Sequence, residues 1–167
     1  MSKSVERNYL EISSLNQLNA SKKKVQDFLI ELLEPDNFQL NKFFYKNIGK
    51  KHRWVDRLIW SEQQWIDYVS NSKVKTYVLK KKDDLVGFFE LIFHLENKEV
   101  EIAYFGILEE YQNKKLGSFL LSEAIKKSFN ENINRVWLHT CSLDHKNALK
   151  NYLARGMKIY KSEIVKI

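Results

Sequence analysis

Cysteine occurs once in the 167 residues, at Cys141, so no disulfide can form within the chain. Proline also occurs once, at Pro35, and glycine only five times. Linkers between domains are commonly rich in such residues, and no stretch here has that character. One domain over residues 1–167 is therefore expected. No apolar run approaches the ~20 residues of a membrane-spanning helix. The segment Met1-Ser2-Lys3-Ser4-Val5-Glu6-Arg7 lacks the apolar stretch of a secretory signal. No membrane partner and a cytoplasmic location are expected. No repeat or low-complexity segment is visible.

What is present is ordinary for a globular chain: 44% hydrophobic and 29% charged residues. Aromatic residues make up 13%, and each can bury a large area, so a sizeable core is within reach. Lys and Arg total 28 against 21 Asp and Glu, a net charge of +7. The basic runs, such as Lys22–Lys24, Lys80–Lys82 and Lys114-Lys115, are scattered and lysine-rich. Nucleic-acid binding calls for an arginine-rich stripe or a recognisable module, and neither is present. A phosphorylated small molecule is also drawn to a positive site.

Hydrophobic spacing gives the elements. Tyr9–Ile12 fits a short strand, and Val25–Leu33 is too evenly apolar to assign before Pro35 ends it. Leu40, Phe43, Phe44 and Ile48 have helical spacing, with Gly49 at the end. Ser61 and Gln64 form a capping box ahead of Trp65, Ile66 and Val69. Strands are expected at Val74–Leu79, Leu85–Leu95 and Val100–Leu108, the last two joined by Glu96-Asn97-Lys98. A helix from Leu116, a strand over Arg135–Cys141, a helix with Asp144 as its cap and Gly156 at its end, and a strand from Met157 complete the chain. This order gives an α/β (or α+β) domain around one mixed sheet.

The most informative segment runs from Glu101 to Gly117. A strand enters a short polar loop, and the loop opens a helix near Leu116. Helix starts leave backbone N–H groups unpaired and favour anions. Lys114, Lys115 and Ser118 add charge and a hydroxyl. From the residues alone, this is a phosphate cradle or a plain strand–turn–helix with solvated lysines.

Gln112-Asn-Lys-Lys-Leu-Gly117, directly after Tyr104-Phe-Gly-Ile-Leu, resembles the pyrophosphate loop of the GNAT family of N-acetyltransferases, Q/R-x-x-G-x-G/A. Gln112 and Gly117 match, and Lys115 stands where the first glycine would be. Further on, His145-Lys-Asn-Ala148-Leu-Lys-Asn-Tyr152-Leu-Ala-Arg-Gly156-Met157 resembles the family's late helix, N-x-x-A-x-x-x-Y-x-x-x-G-F. His145 and Met157 are its departures. The resemblance covers about residues 74 to 160.

The resemblance implies a central, mainly antiparallel mixed sheet flanked by helices, and acetyl-CoA as co-substrate with no metal. It implies that Gln112, Asn113, Lys114, Lys115, Leu116, Gly117 and Ser118 hold the pyrophosphate, with His145 beside them. Amides of Phe105, Gly106 and Ile107 would take the pantetheine arm and the thioester oxygen. Tyr152 would protonate the departing thiolate. The acceptor would be a small-molecule or peptide amine.

A lysine-like amine has a pKa of about 10.4, so a carboxylate base is useful. Glu101 falls where one branch of the family places its catalytic glutamate. It is also readable as an exposed strand charge. Glu90 is a second candidate, because an unpaired carboxylate inside the apolar run Gly87-Phe-Phe-Glu90-Leu is costly and asks for a partner or a substrate cation. The segment His52–Trp60, dense in Trp and Arg, is either an acceptor wall or a packed aromatic corner. His139, Cys141, Asp144 and His145 match no standard zinc spacing. Cys141 reads as an inert, partly buried thiol. The alternative function is a GNAT-like CoA-binding or regulatory module without catalysis. Oligomeric state is not fixed by these features, and a homodimer is open to the chain.

Overall fold

Strand periodicity and one doubly buried strand dictate the architecture. The computed structural model describes residues 2–22, 26–112 and 115–167. Its strands are β1 (Ser4–Ile12), β2 (Phe28–Leu32), β3 (Val74–Lys81), β4 (Asp84–His94), β5 (Glu99–Ile107), β6 (Arg135–Cys141) and β7 (Lys158–Lys166). Its helices are α1 (Phe38–Gly49), α2 (Glu62–Ser70), α3 (Leu116–Ser128) and α4 (Ala148–Ala154). The strands form one seven-stranded sheet in the order β2-β3-β4-β5-β6-β1-β7. Every neighbouring pair is antiparallel except β5 and β6. This is the mixed, helix-flanked α/β sheet that the sequence implied.

β4 explains itself. Val86 to Leu91 are all buried, as expected of a strand covered on both faces. Phe89, Leu91 and Phe93 meet Leu116, Leu120, Leu121, Ala124 and Ile125 of α3 on one face. Phe88 and Val78 meet Phe44 and Ile48 of α1 on the other, where the Phe44 and Phe88 rings stack at 4.9 Å. α1 starts at Asn37, whose side chain accepts from the Gln39 amide. α2 starts at Ser61 with both halves of the capping box formed, and it buries Trp65 and Val69.

Two irregularities shape the site. Between β4 and β5 the register shifts, with Glu90 opposite Tyr104 but Leu91 opposite Ile102. Ala103 is the extra residue of this bulge. Side chains after it change face relative to those before it: Ile102 packs on the α3 side, but Tyr104, two residues on, packs on the α1 side and Phe105 on the α3 side. Second, β6 pairs with β5 only from Glu99–Arg135 to Glu101–Trp137. Beyond that point the strands part, and a cleft opens in the sheet.

The N-terminal strand is longer than Tyr9–Ile12 and lies between β6 and β7. Val5 and Leu10 have opposite parity and bury on opposite faces of the sheet, so they do not share one apolar period; the register shift at Tyr9/Leu10 puts its extra residue, Tyr160, on β7. Of the undecided Val25–Leu33 stretch, Val25 lies outside the described residues and Phe28–Leu32 forms β2, at the sheet edge. Asp144 does not cap α4. It accepts from Thr140 Oγ1 and from the Cys141 amide at 3.0 Å, tying off the end of β6, and α4 begins only at Ala148. No helix among the described residues is long and apolar enough to cross a membrane.

Candidate active site

The parting strands border a cleft of about 990 Å³. Its floor is β5 from Glu101 to Ile107, whose β6-facing edge has no strand partner past Glu101. Phe105, Gly106 and Ile107 all line it, and an unpaired strand edge offers backbone groups to a ligand. Gly106 is required for another reason: a Cβ there would stand 2.7 Å from Ile48 Cγ2 of α1.

At the end of this floor α3 begins. Among the described residues no side chain caps it. Lys115, in the position of the absent glycine, adopts the left-handed conformation (φ 59°, ψ 22°) that glycine adopts without strain. The lysine therefore keeps the loop's backbone turn and adds a charge. Gly117 faces open space, since a Cβ there would meet only Asn151 Nδ2, at 3.7 Å. Gln112 donates to the Ile107 carbonyl at 3.2 Å and so braces the loop. Ser118 Oγ lies within hydrogen-bond reach of the Lys115 carbonyl at 3.0 Å and of Ser21 Oγ at 3.2 Å. Lys115, Leu116, Gly117, Ser118 and Gln112 all border the cleft. Asn113 and Lys114 lie outside the described residues.

α4 forms the facing wall on the α3 side. Tyr152 is 8% exposed, lines the cleft and meets the Phe105 ring edge-on at 6.4 Å. Burial, with Asp144 adding to it, raises the phenol's pKa far above its usual value, so the hydroxyl keeps its proton. His145 also lines the cleft and accepts from the Asn147 amide at 3.1 Å, where α4 starts. Its pKa is lowered by burial, then by His52 and Lys146. The His52 and His145 rings meet at 6.3 Å, joining the loop after α1 to the loop after β6.

On the α1 side stand Glu101, His139, Trp54, Asp56 and Tyr104. Glu101 lies 3.3 Å from His94 Nε2. His139 opens onto the cleft; crowding lowers its pKa, Arg7 lowers it further, and Glu101, Asp144 and Asp56 oppose that. Its imidazole is thus predominantly neutral near pH 7 and able to accept a proton. Cys141 is half-buried, and burial raises its thiol pKa. Among the described residues no group of His, Cys, Asp or Glu is placed to hold a metal.

Glu90 is fully buried and is not part of the cleft wall. It accepts from Arg57 at 2.9 Å, Asn41 at 2.9 Å and Tyr68 at 2.7 Å. Arg57 does border the cleft, and its guanidinium lies within 5.7 Å of five aromatic rings, Tyr45, Trp60, Trp65, Tyr68 and Tyr104. Burial is the largest single influence and opposes its charge, but Glu90, together with Tyr68 and Tyr104, holds its pKa above the ordinary value. The partner demanded by Glu90's apolar surroundings is therefore Arg57 and not a substrate. The His52–Trp60 segment is at once a packed corner and a cleft wall.

The sequence reading did not single out His139 for acid–base work, nor Arg7, Asp56, Asn147 or Asn151. His139 is two residues beyond Trp137, the partner of Glu101, and so shares its face of the sheet. That parity was available, but the pairing of β6 with β5 was not. Arg7 needed the placement of β1.

Known proteins agree with this geometry. Comparison with curated proteins gives no match. The fold is similar to a GCN5-related N-acetyltransferase from Sphaerobacter thermophilus (TM-score 0.73, 13% identity, 99% of this chain and 52% of that one). It is also similar to a GCN5-related N-acetyltransferase from Kribbella flavida (TM-score 0.66, 12% identity, 96% and 56%). An aminoglycoside acetyltransferase from an uncultured soil metagenomic sample, solved with trehalose, aligns over 77% of this chain and 87% of its own (TM-score 0.63, 12% identity). The chain thus spans about half the length of the first two. A model of the acetyltransferase (GNAT) family matches residues 29–157, which hold the cleft floor, the uncapped start of α3 and Tyr152, and the chain belongs to that family.

Proposed function

We propose that this chain is an N-acetyltransferase that moves the acetyl group of acetyl-CoA to a primary amine. The observation that carries the reading is the cleft itself. An unpaired strand edge runs from the uncapped start of α3 to Glu101, with Tyr152 on one side and Glu101 and His139 on the other.

The pyrophosphate would rest on the amides of Leu116, Gly117 and Ser118, beside Lys115, where helix dipole and free N–H groups favour an anion. The family resemblance adds Asn113 and Lys114 to this group. Amides of Phe105, Gly106 and Ile107 would hold the pantetheine arm and the thioester oxygen. The acceptor must arrive neutral, so its ammonium proton passes to Glu101 or, through water, to His139. The amine nitrogen then bonds to the thioester carbon, and negative charge on the oxygen is stabilised by amides of the β5 edge. As the C–S bond breaks, the sulfur takes the electron pair, and the extra proton still on the attacking nitrogen passes through water to that sulfur, leaving neutral amide and CoA thiol. A thiol of pKa about 8.5 is a stronger acid than the buried phenol, so Tyr152 acts by donating a hydrogen bond to the thiolate. Glu90 stands apart from the chemistry and fixes Arg57. Lys115 preserves the loop's backbone turn and His145 lies at the start of α4, so neither departure from the family pattern favours a module without catalysis.

Thermal unfolding with and without acetyl-CoA, followed by an acetyl-transfer assay over amines, amino acids, polyamines and peptide N-termini, tests the reading. Stabilisation plus N-acetylated product is expected. Stabilisation without product from any amine would leave only the binding-module alternative. No stabilisation at low salt would defeat both.

A further inference from the structure

β1 and β7 lie outside the residues that match the family, yet they help to build the acceptor side of the cleft. Arg7 of β1 pairs with Cys141 of β6 and with Glu163 of β7. It therefore projects from the face that carries Glu101 and His139. Its side chain is 33% exposed and borders the cleft. Its Nε is shut off from water without a hydrogen-bond partner. A buried donor left unpaired is costly, and sites built for a ligand are one place where such donors persist.

The nearby carboxylate does not satisfy it. Glu163 lies 3.8 Å from Arg7 Nη1 but accepts from the Tyr9 hydroxyl at 2.7 Å and faces Lys161 at 3.7 Å. Across the cleft the signs reverse. Glu101 and Asp56 border its other side, with His139 between them and Arg7 and within the field of all three. Strand spacing and rise put the Cα atoms of Glu101 and Arg7 roughly 16 Å apart, and two long side chains take up much of that span. A short molecule with a cation at one end and an anion at the other would satisfy both. The Arg7 side chain is a third exposed at the cleft, and a guanidinium fork is suited to a carboxylate.

We propose that the acceptor is amino-acid-like, a small primary amine bearing its own carboxylate, and that Arg7 binds that carboxylate while the amine is presented to Glu101. This rests on the acetyltransferase reading and names its substrate class. Arg7 is then the specificity determinant, supplied by a strand that the family match does not include.

The test uses amino acids from glycine to 6-aminohexanoate, each paired with its carboxamide. In the short pairs the amide's amine is the less basic, so intrinsic reactivity favours the amide. A preference for the acid therefore reports binding. In the intact protein we expect KM for the acid to be at least ~10-fold below that of its amide at one preferred chain length. Arg7→Met should collapse that ratio, and Arg7→Lys should keep part of it. Acetyl-CoA-induced stabilisation verifies that each variant is folded. An unchanged ratio in folded Arg7→Met, or wild-type preference for the amide at every length, overturns the proposal. If no amine is acetylated, the acetyltransferase reading fails on its own. The rise in unfolding temperature caused by each acid in the presence of CoA, wild type against Arg7→Met, then decides the role of Arg7: loss of that rise supports it, and equal shifts or none sink it.

Discussion

Arg57 and Arg7 both border the cleft, and their surroundings differ in kind. Arg57 is enclosed by a buried carboxylate and five rings. Arg7 has one carboxylate at 3.8 Å and a buried Nε with no partner. Around Arg57 the ion pair with Glu90 is closed by the chain itself, although Asn41 Oδ1 beside it is left without a partner; at Arg7 the unmet donor stands beside the cleft. The same contrast separates Glu90, saturated and outside the cleft, from Glu101, which borders it.

The largest effect is expected where that contrast is broken on the closed side. Glu90→Ala leaves Arg57 charged, buried and unpaired, and should cost about 3–5 kcal/mol in urea unfolding. Glu163→Ala, on the open side, removes a partly exposed pair and should cost no more than about 1 kcal/mol. Similar losses for the two would show that the walls do not differ as described.

Next comes the cofactor end. Acetyl-CoA at a hundredfold excess over its Kd should stabilise the protein by about 2.7 kcal/mol. Gly117→Glu should abolish that by placing a carboxylate at the start of α3. Gly117→Ala should retain most of it, because only Asn151 stands near the added methyl. Equal losses in the two variants would point to backbone strain and away from charge.

Tyr152→Phe should lower kcat on the order of 10- to 100-fold with acetyl-CoA affinity nearly intact, as for a group acting on the leaving sulfur. An unaltered kcat, with chemistry rate-limiting, removes Tyr152 from the mechanism. Glu101→Gln should be most damaging at low pH, where the amine most needs a base. An identical acidic limb in wild type and mutant would transfer that role to His139.

The smallest effect is a pH slope. The pKa values of His139 and His145 are lowered in the folded protein, so the unfolded chain binds more protons below its own pKa of about 6.5. Stability present above pH 6.5 should therefore fall as pH drops through it toward the folded values. His139→Gln should flatten that slope in unfolding measured between about pH 7 and 5.

The sequence was most legible where local rules suffice. The Ser61 box, the span of β6 and the start of α3 follow from spacing and capping. The cofactor end shares this legibility because one continuous segment, Glu101–Gly117, builds it. The acceptor side was not legible, since its residues come from β1, β5, β6 and the loop before α2, and only strand order brings them together. Asp144 looked like a cap because it precedes a helix, but the Thr140 hydroxyl and Cys141 amide claim it first. Glu90's burial was readable, while its partner, thirty-three residues earlier, was not.

The placement of β1 between β6 and β7 has a consequence in time. The Tyr9–Glu163 hydrogen bond joins residues 154 positions apart, so the strand that carries Arg7 finds its neighbours only once β6 and β7, far along the sequence, have been made. Contacts of such separation form late, because the entropy of closing the loop must be met before they contribute. The hairpins of β3, β4 and β5 pair locally and can form during synthesis. The surface that would choose the substrate is thus the last to be assembled, and until then β6 exposes an open edge to any other extended chain.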